Sequence, residues 1–389
     1  MLTAMVHGAG DPGRDGVADY VVNLSAALRD LGVRAEPVPI RGGVRGLVTA
    51  AGRVRALRPD VVHVQFAPSA FGFSPWPGLL PDLLRAPVVV TVHEYGWWSS
   101  PSWIPAALWE VPERKGWFDR ETWRLAPAAA AVVTTNAGHG RTVAGRLGRD
   151  AAHVPLAPNV ADHGGRVAPA AVRRRLGVPA DAEVMTFFGF VHPVKGLRYL
   201  IEALAILRDR RPPGRRPLHL LVLGGFTSLA LPEAEADAFR AELAEQARAC
   251  GVADQVTMTG HLAAADVSAA LHASDLAVFP FTAGVTTKSG ALLAAFAHGL
   301  PTVITAADPP DPQLRDGDTV VVAHRVRDAR ALADAVGRVL DDAELRARVR
   351  AGGATVAADR TWPRIAEAHR ELYRCVVAGR EPELRRNAR

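Results

Sequence analysis

Residues 184–210 read VMTFF, then GFVHPVKG, then LRYLIEALAILRDR. The first five are apolar but for Thr186, as in a strand covered on both faces, and the last block repeats its apolar residues at helical spacing. A strand at 184–188 and a helix at 197–208, joined by a loop with one lysine, make half of a βαβ unit. The alternation runs on with strands at 218–223, 256–259, 276–279 and 302–305, and helices at 233–249, 266–273 and 290–298. Upstream, LTAMVH at 2–7, a helical pattern at 17–31 and valine-rich runs at 61–64, 88–92 and 131–134 form a similar series. The polar stretch 160–179 between the two series, with its Gly and Pro, reads as a linker. The pattern predicts an α/β protein of two Rossmann-like, doubly wound domains facing a cleft, with ligands beyond the carboxyl ends of the strands.

A length of 389 residues suits two domains of ordinary size, and 49% apolar with 22% charged residues excludes a disordered or fibrous chain. Of the 46 basic residues only Lys115, Lys195 and Lys288 are lysines. The arginines are scattered and offset by 40 acidic residues, so a net charge of +6 describes solubility, and no basic stripe for nucleic acid stands out. Cys250 and Cys375 are too few for a disulfide framework or a zinc site. Asp11, Arg14 and Asp15 interrupt any leader-like start, and the uncharged stretches 61–81 and 289–307 carry prolines or His298 and Gly299, so neither reads as a membrane span. The expected location is the cytoplasm.

Four loops carry candidate chemistry. Gly8-Ala-Gly10-Asp-Pro-Gly13, with Glu36 near a second strand, formally matches a dinucleotide fingerprint, but the three further residues to Gly16 make the loop longer than a tight strand-to-helix turn. In the second loop, His192 and Lys195 precede a helix whose free N–H groups suit a diphosphate. A lysine kept in so arginine-rich a chain suggests a position where guanidinium does not serve. The third, Thr286-Thr287-Lys288-Ser289-Gly290, opens another helix and lacks the glycines of a P-loop, yet its lysine could converge on the same diphosphate. The fourth holds His93 and Glu94 after a strand, with His63 and Gln65 near the end of another. Six of the eight tryptophans then fall within 95–123 (Trp97, Trp98, Trp103, Trp109, Trp117 and Trp123). Packing, sugar stacking and peripheral membrane contact are three readings of those indoles.

Taken in order, these loops resemble the retaining glycosyltransferases of family four, with the GT-B fold. The resemblance is carried by DGVADYV at 15–21, VTVHE at 90–94, VPLAPNV at 154–160, 188–197, VTMTGHL at 256–262, ASDLAVFP at 273–280, HGLPTV at 298–303 and TWPRIAEAHRELY at 361–373. It implies a Rossmann-like acceptor domain at 1–165 completed by a C-terminal helix within 364–389, and a nucleotide-sugar domain at 166–363. It implies that His93 and Lys195 are catalytic, with Gly16, His192, Gly260, His261 and Leu262 also on the donor. Glu94, Trp97 and Trp98 fall to the acceptor. The donor is then a nucleotide diphosphate sugar, and neither metal nor cofactor is expected.

Two departures stand against the family pattern. The arginine usual after the glycine of the strand end is replaced by Phe190, with His192 at its variant position. The paired glutamates of the donor loop fall on Thr286 and Ala294. Thr286, Thr287, Lys288, Ser289 and Gly290 would then serve the donor in their place. The expected function is a metal-independent transfer of sugar to a hydroxyl of a glycan or natural product. A catalytically silent sugar-nucleotide-binding protein and a sugar-nucleotide epimerase stand as alternatives, with a nicotinamide enzyme last.

Overall fold

The structure, a computed structural model, describes residues 1–10, 12, 15–226 and 233–380. Asp11, Gly13 and Arg14 of the first glycine loop lie outside the described residues. Two compact units make up the chain: Met1–Leu156 together with the chain from Trp362, and Ala157–Thr361.

In the first unit, β1 (Leu2–His7), β2 (Arg34–Pro39), β3 (Val61–Phe66), β4 (Val88–Val92), β5 (Ala131–Thr134) and β6 (Ala152–His153) form one sheet ordered β2-β1-β3-β4-β5-β6. Every pairing is parallel. Its helices are α1 (Gly16–Asp30), α2 (Gly43–Leu57), α3 (Leu80–Leu83), α4 (Ala106–Arg114), α5 (Leu125–Ala128) and α6 (Ala137–Leu147). β3, β4 and β5 are buried at every residue, which explains their richness in valine. Asp15 starts α1 by accepting the Val17 N–H at 2.9 Å.

In the second unit, β7 (Glu183–Phe188), β8 (Leu218–Leu223), β9 (Val256–Met258), β10 (Leu276–Phe279), β11 (Thr302–Thr305) and β12 (Val321–Ala323) form a sheet ordered β12-β11-β10-β7-β8-β9, again parallel throughout. The helices here are α7 (Pro169–Arg175), α8 (Leu197–Arg210), α9 (Glu233–Ala249), α10 (Ala264–His272), α11 (Gly290–Ala297), α12 (Ala329–Asp341) and α13 (Ala343–Ala358). The core packs Phe187, Leu200, Leu204, Leu220, Val278 and Val336 between sheet and helices.

One expectation is corrected. The stretch 160–179 is not a linker: it contains α7, with Val172 and Arg173 buried. The last helix, α14 (Trp362–Val377), belongs to the first unit, where Ile365, Ala366, His369, Leu372 and Tyr373 are buried and α1 is a neighbour.

Candidate functional site

The strand order of the second unit reverses between β7 and β10, and a crevice opens beyond the carboxyl ends of two strands where such a reversal occurs. The loops leaving those strands are 189–196 and 280–289. They are locked together. Gly196 has φ 72°, and a Cβ there would stand 1.9 Å from the Pro280 carbonyl oxygen, so only glycine fits. The Thr282 N–H and hydroxyl both donate to the Val194 carbonyl, at 2.9 and 3.1 Å.

Lys195 ends a 3-10 turn, Pro193–Lys195, with its ammonium 3.8 Å from the centroid of the Phe281 ring. Burial lowers its pKa to about 8. His192 caps the turn: its Nδ1 accepts the Val194 N–H at 3.3 Å, so a proton sits on Nε2 as a donor. Lysine and histidine thus stand in one loop with donors suited to phosphate oxygens.

Around the next loop, Ser289 caps α11 by accepting the Leu292 N–H at 3.2 Å. The Thr287 N–H and hydroxyl both donate to Asp311 at 2.8 Å. Those two side chains shape the loop. Lys288 is exposed, and its N–H approaches the Thr286 hydroxyl at 3.4 Å. The chain packs tightly at Gly290, where a Cβ would meet Asn159 at 3.1 Å. Gly260, at φ 72°, bridges to Gly224 at the end of β8, leaving His261 exposed and Leu262 half-buried beside it.

The sheet of the first unit reverses between β1 and β3. His93 follows β4 and donates its Nε2–H to the Gln65 amide oxygen at 2.8 Å. Burial holds its pKa down at about 3, and His139 and His369 add to the effect, so the ring is neutral with a bare Nδ1. Tyr20 meets it edge-on at 4.8 Å. Behind it, the Gln65 amide nitrogen lies 3.1–3.2 Å from both ring nitrogens of His63. His63 in turn bridges Tyr373 at 2.6 Å and Thr91 at 2.7 Å. Sequence reasoning singled out His93 as a site residue and noted His63 and Gln65, but missed Tyr373 and His369, which reach this place from the far end of the chain.

Gly16 is exposed and an added Cβ would meet open space. The tight positions of that loop are Gly8, whose Cβ would meet the Ala70 carbonyl at 1.8 Å, and Gly10, against the Asp15 carboxylate at 2.1 Å. Burial raises the pKa of Asp15 and lowers that of His7 beside it. Glu94 is half-buried. Trp97 is exposed and meets Phe73 edge-on at 6.2 Å, while Trp98 is half-buried beside the same ring.

The segment 95–123 divides its tryptophans. Trp109 is buried, and the Trp123 indole N–H donates to the Ser100 carbonyl at 2.9 Å. Trp97, Trp103 and Trp117 are 60%, 78% and 58% exposed, so packing accounts for only part of the cluster. The segment is nonetheless well anchored. Glu121, fully buried, accepts from Arg146 at 2.6 Å and from the Gly96 N–H at 2.8 Å. Asp119, also buried, accepts from Tyr95 at 2.7 Å and from the Thr122 hydroxyl at 2.6 Å.

Comparison with known proteins agrees with this architecture. The family described as "Glycosyl transferase 4-like domain" matches residues 6–160, and "Glycosyl transferases group 1" matches residues 182–342. A D-inositol 3-phosphate glycosyltransferase of Kineococcus radiotolerans is 28% identical over 97% of this chain and 93% of its own. Among solved structures, HepE of Anabaena in complex with UDP and glucose superposes with a TM-score of 0.69 at 17% identity, covering 96% of this chain and 99% of that one. Sucrose-phosphate synthase of Thermosynechococcus elongatus gives 0.70 at 18% identity, covering 97% and 100%. With a glycosyltransferase family matching each half and the GT-B fold throughout, the chain belongs to the family-four glycosyltransferases.

Proposed function

We propose that this glycosyltransferase moves a hexose from a nucleotide diphosphate donor to a hydroxyl acceptor with retention of anomeric configuration and without a metal ion. The observation that carries the reading is the fused pair of loops at the sheet reversal. There Lys195 and the Nε2–H of His192 offer positive charge and a hydrogen-bond donor to a departing diphosphate. In the step itself, the bond from anomeric carbon to diphosphate oxygen breaks and a bond to the acceptor oxygen forms on the same face. The acceptor proton passes to the departing diphosphate. His93, neutral with a bare Nδ1, accepts a hydrogen bond from a hydroxyl of the donor sugar. Lys288 supplies charge where the family carries a glutamate, at the loop of Thr286.

The printed names of similar proteins narrow the choice of ligands. UDP sugars are the first donors to test, following the ligand named with HepE, and inositol phosphate is the first acceptor, following the Kineococcus relative. The exposed indoles Trp97, Trp103 and Trp117 suit an acceptor with a sugar face or a lipid tail.

A thermal-shift panel of UDP, GDP, ADP and dTDP with their sugars, followed by product analysis against a Lys195→Ala control, tests the reading. One nucleotide diphosphate should raise the melting temperature, and transfer should exceed the control. Binding with neither transfer nor hydrolysis would instead mark a silent partner, which the missing glutamates at Thr286 and Ala294 favour.

A further inference from the structure

Within the second unit, Asp162, His272 and His298 bring a carboxylate oxygen and two imidazole nitrogens within 4.8 Å of one another. His272 ends α10 and His298 follows α11, so both stand where the chain is about to enter β10 and β11. That is the end of the sheet opposite the loop of Lys195, where strands begin rather than finish. Asp162 lies in the segment that opens the unit.

The orientation of the buried His298 is informative. Its Nδ1–H donates to the Ala294 carbonyl at 2.7 Å, which leaves Nε2 bare. That nitrogen accepts from the Ser268 hydroxyl at 2.8 Å and stands 3.9 Å from the Asp162 Oδ1. His272 Nε2 lies 2.7 Å from the same oxygen, and the two rings meet edge-on at 5.0 Å. An imidazole whose far N–H is held by a backbone carbonyl is oriented as metal-ligating histidines are.

The geometry points to a site for one zinc-class divalent cation held by Asp162 Oδ1, His272 Nε2 and His298 Nε2, with water completing the set. Zinc bonds of about 2.0–2.2 Å place tetrahedral ligand atoms roughly 3.3 Å apart. The Asp162–His272 pair must therefore open by about half an ångström, the His298–Asp162 pair close by about as much, and the two imidazole nitrogens, within 4.8 Å, close by up to about 1.5 Å. On binding, the proton between His272 and Asp162 moves to His272 Nδ1, and the Ser268 hydroxyl turns away from His298. A cavity of about 790 Å³ reaches His272 and His298, with Asp275, Arg216, Arg346 and Arg350 also on its wall. The bound ion would tie the opening segment of the unit to the ends of two helices.

Equilibrium dialysis of the untagged, chelator-treated full chain against zinc, with metal analysis, tests this independently of transferase activity. One zinc per chain is expected. Asp162→Asn and His272→Gln should each weaken binding by about tenfold or more, whereas His324→Gln, at the exposed His324–Asp316 pair, should leave it unchanged. Cobalt should give the visible absorption of a tetrahedral site in the wild type, a reading that needs no variant to fold. No stoichiometric zinc on the wild type, or equal zinc on Asp162→Asn and His272→Gln, would overturn the proposal and leave an ordinary hydrogen-bonded cluster.

Discussion

Lys195 rests on an aromatic face rather than in open water, and its proton is correspondingly less tightly held. With a pKa of about 8 it is charged below that pH and neutral above. A diphosphate binds the charged form, so kcat/KM for the donor should fall as pH rises through about 8. In Lys195→Ala that limb should vanish, and donor affinity should drop by roughly 10- to 100-fold, the worth of one charge-assisted hydrogen bond. His93 behaves oppositely: with a pKa of about 3 it stays neutral through the working range and adds no acid limb. Its use as an acceptor depends on Gln65 holding the Nε2–H. His93→Ala should lower kcat by about a hundredfold with nucleotide affinity unchanged. Gln65→Leu should lower kcat by a smaller factor, again without touching nucleotide affinity, as calorimetry and initial rates would show.

Among the elements, the 95–123 segment depends on buried carboxylates that only their partners make tolerable. Arg146→Ala would leave Glu121 buried without its cation, and denaturant unfolding should show a loss of about 3–5 kcal/mol. The inner strands were legible in the sequence because burial on both faces favours apolar residues at most positions, broken by only a few buried polar groups such as His63, Gln65 and Thr91. β2 shows in the sequence only as a second strand near Glu36, because it is a sheet edge reading RAEPVP, with Pro37 and Pro39 on its rim. The helix α7 was hidden by its arginines. Arg173 is buried all the same, because its guanidinium donates to the carbonyls of Ala273, Ala180 and Ala182 and to Asp275. In the candidate site, Lys195 and His93 stand out in the sequence because each lies in a loop that leaves a strand. The support behind His93 could not. Tyr373 meets His63 across 310 residues of sequence, and no local pattern encodes such a pairing.

Each unit of the whole molecule has its own sheet and core, but only one of them is continuous in sequence. Residues 157–361 expressed alone should fold cooperatively and be stabilised by the nucleotide diphosphate that the full chain prefers. Residues 1–156 alone should not, because Ile365, His369 and Tyr373, buried in that unit, are missing. Circular dichroism and thermal scans of the two fragments would check both. The same arrangement has a consequence for biosynthesis. The sheet β1–β6 emerges from the ribosome first, yet the helix that covers His63 is made only after the entire second unit. At roughly 5–20 residues per second, roughly ten to forty seconds pass before α14 arrives. For that interval the unit begun first stays unfinished, and a nascent chain in this state is a natural client for a chaperone.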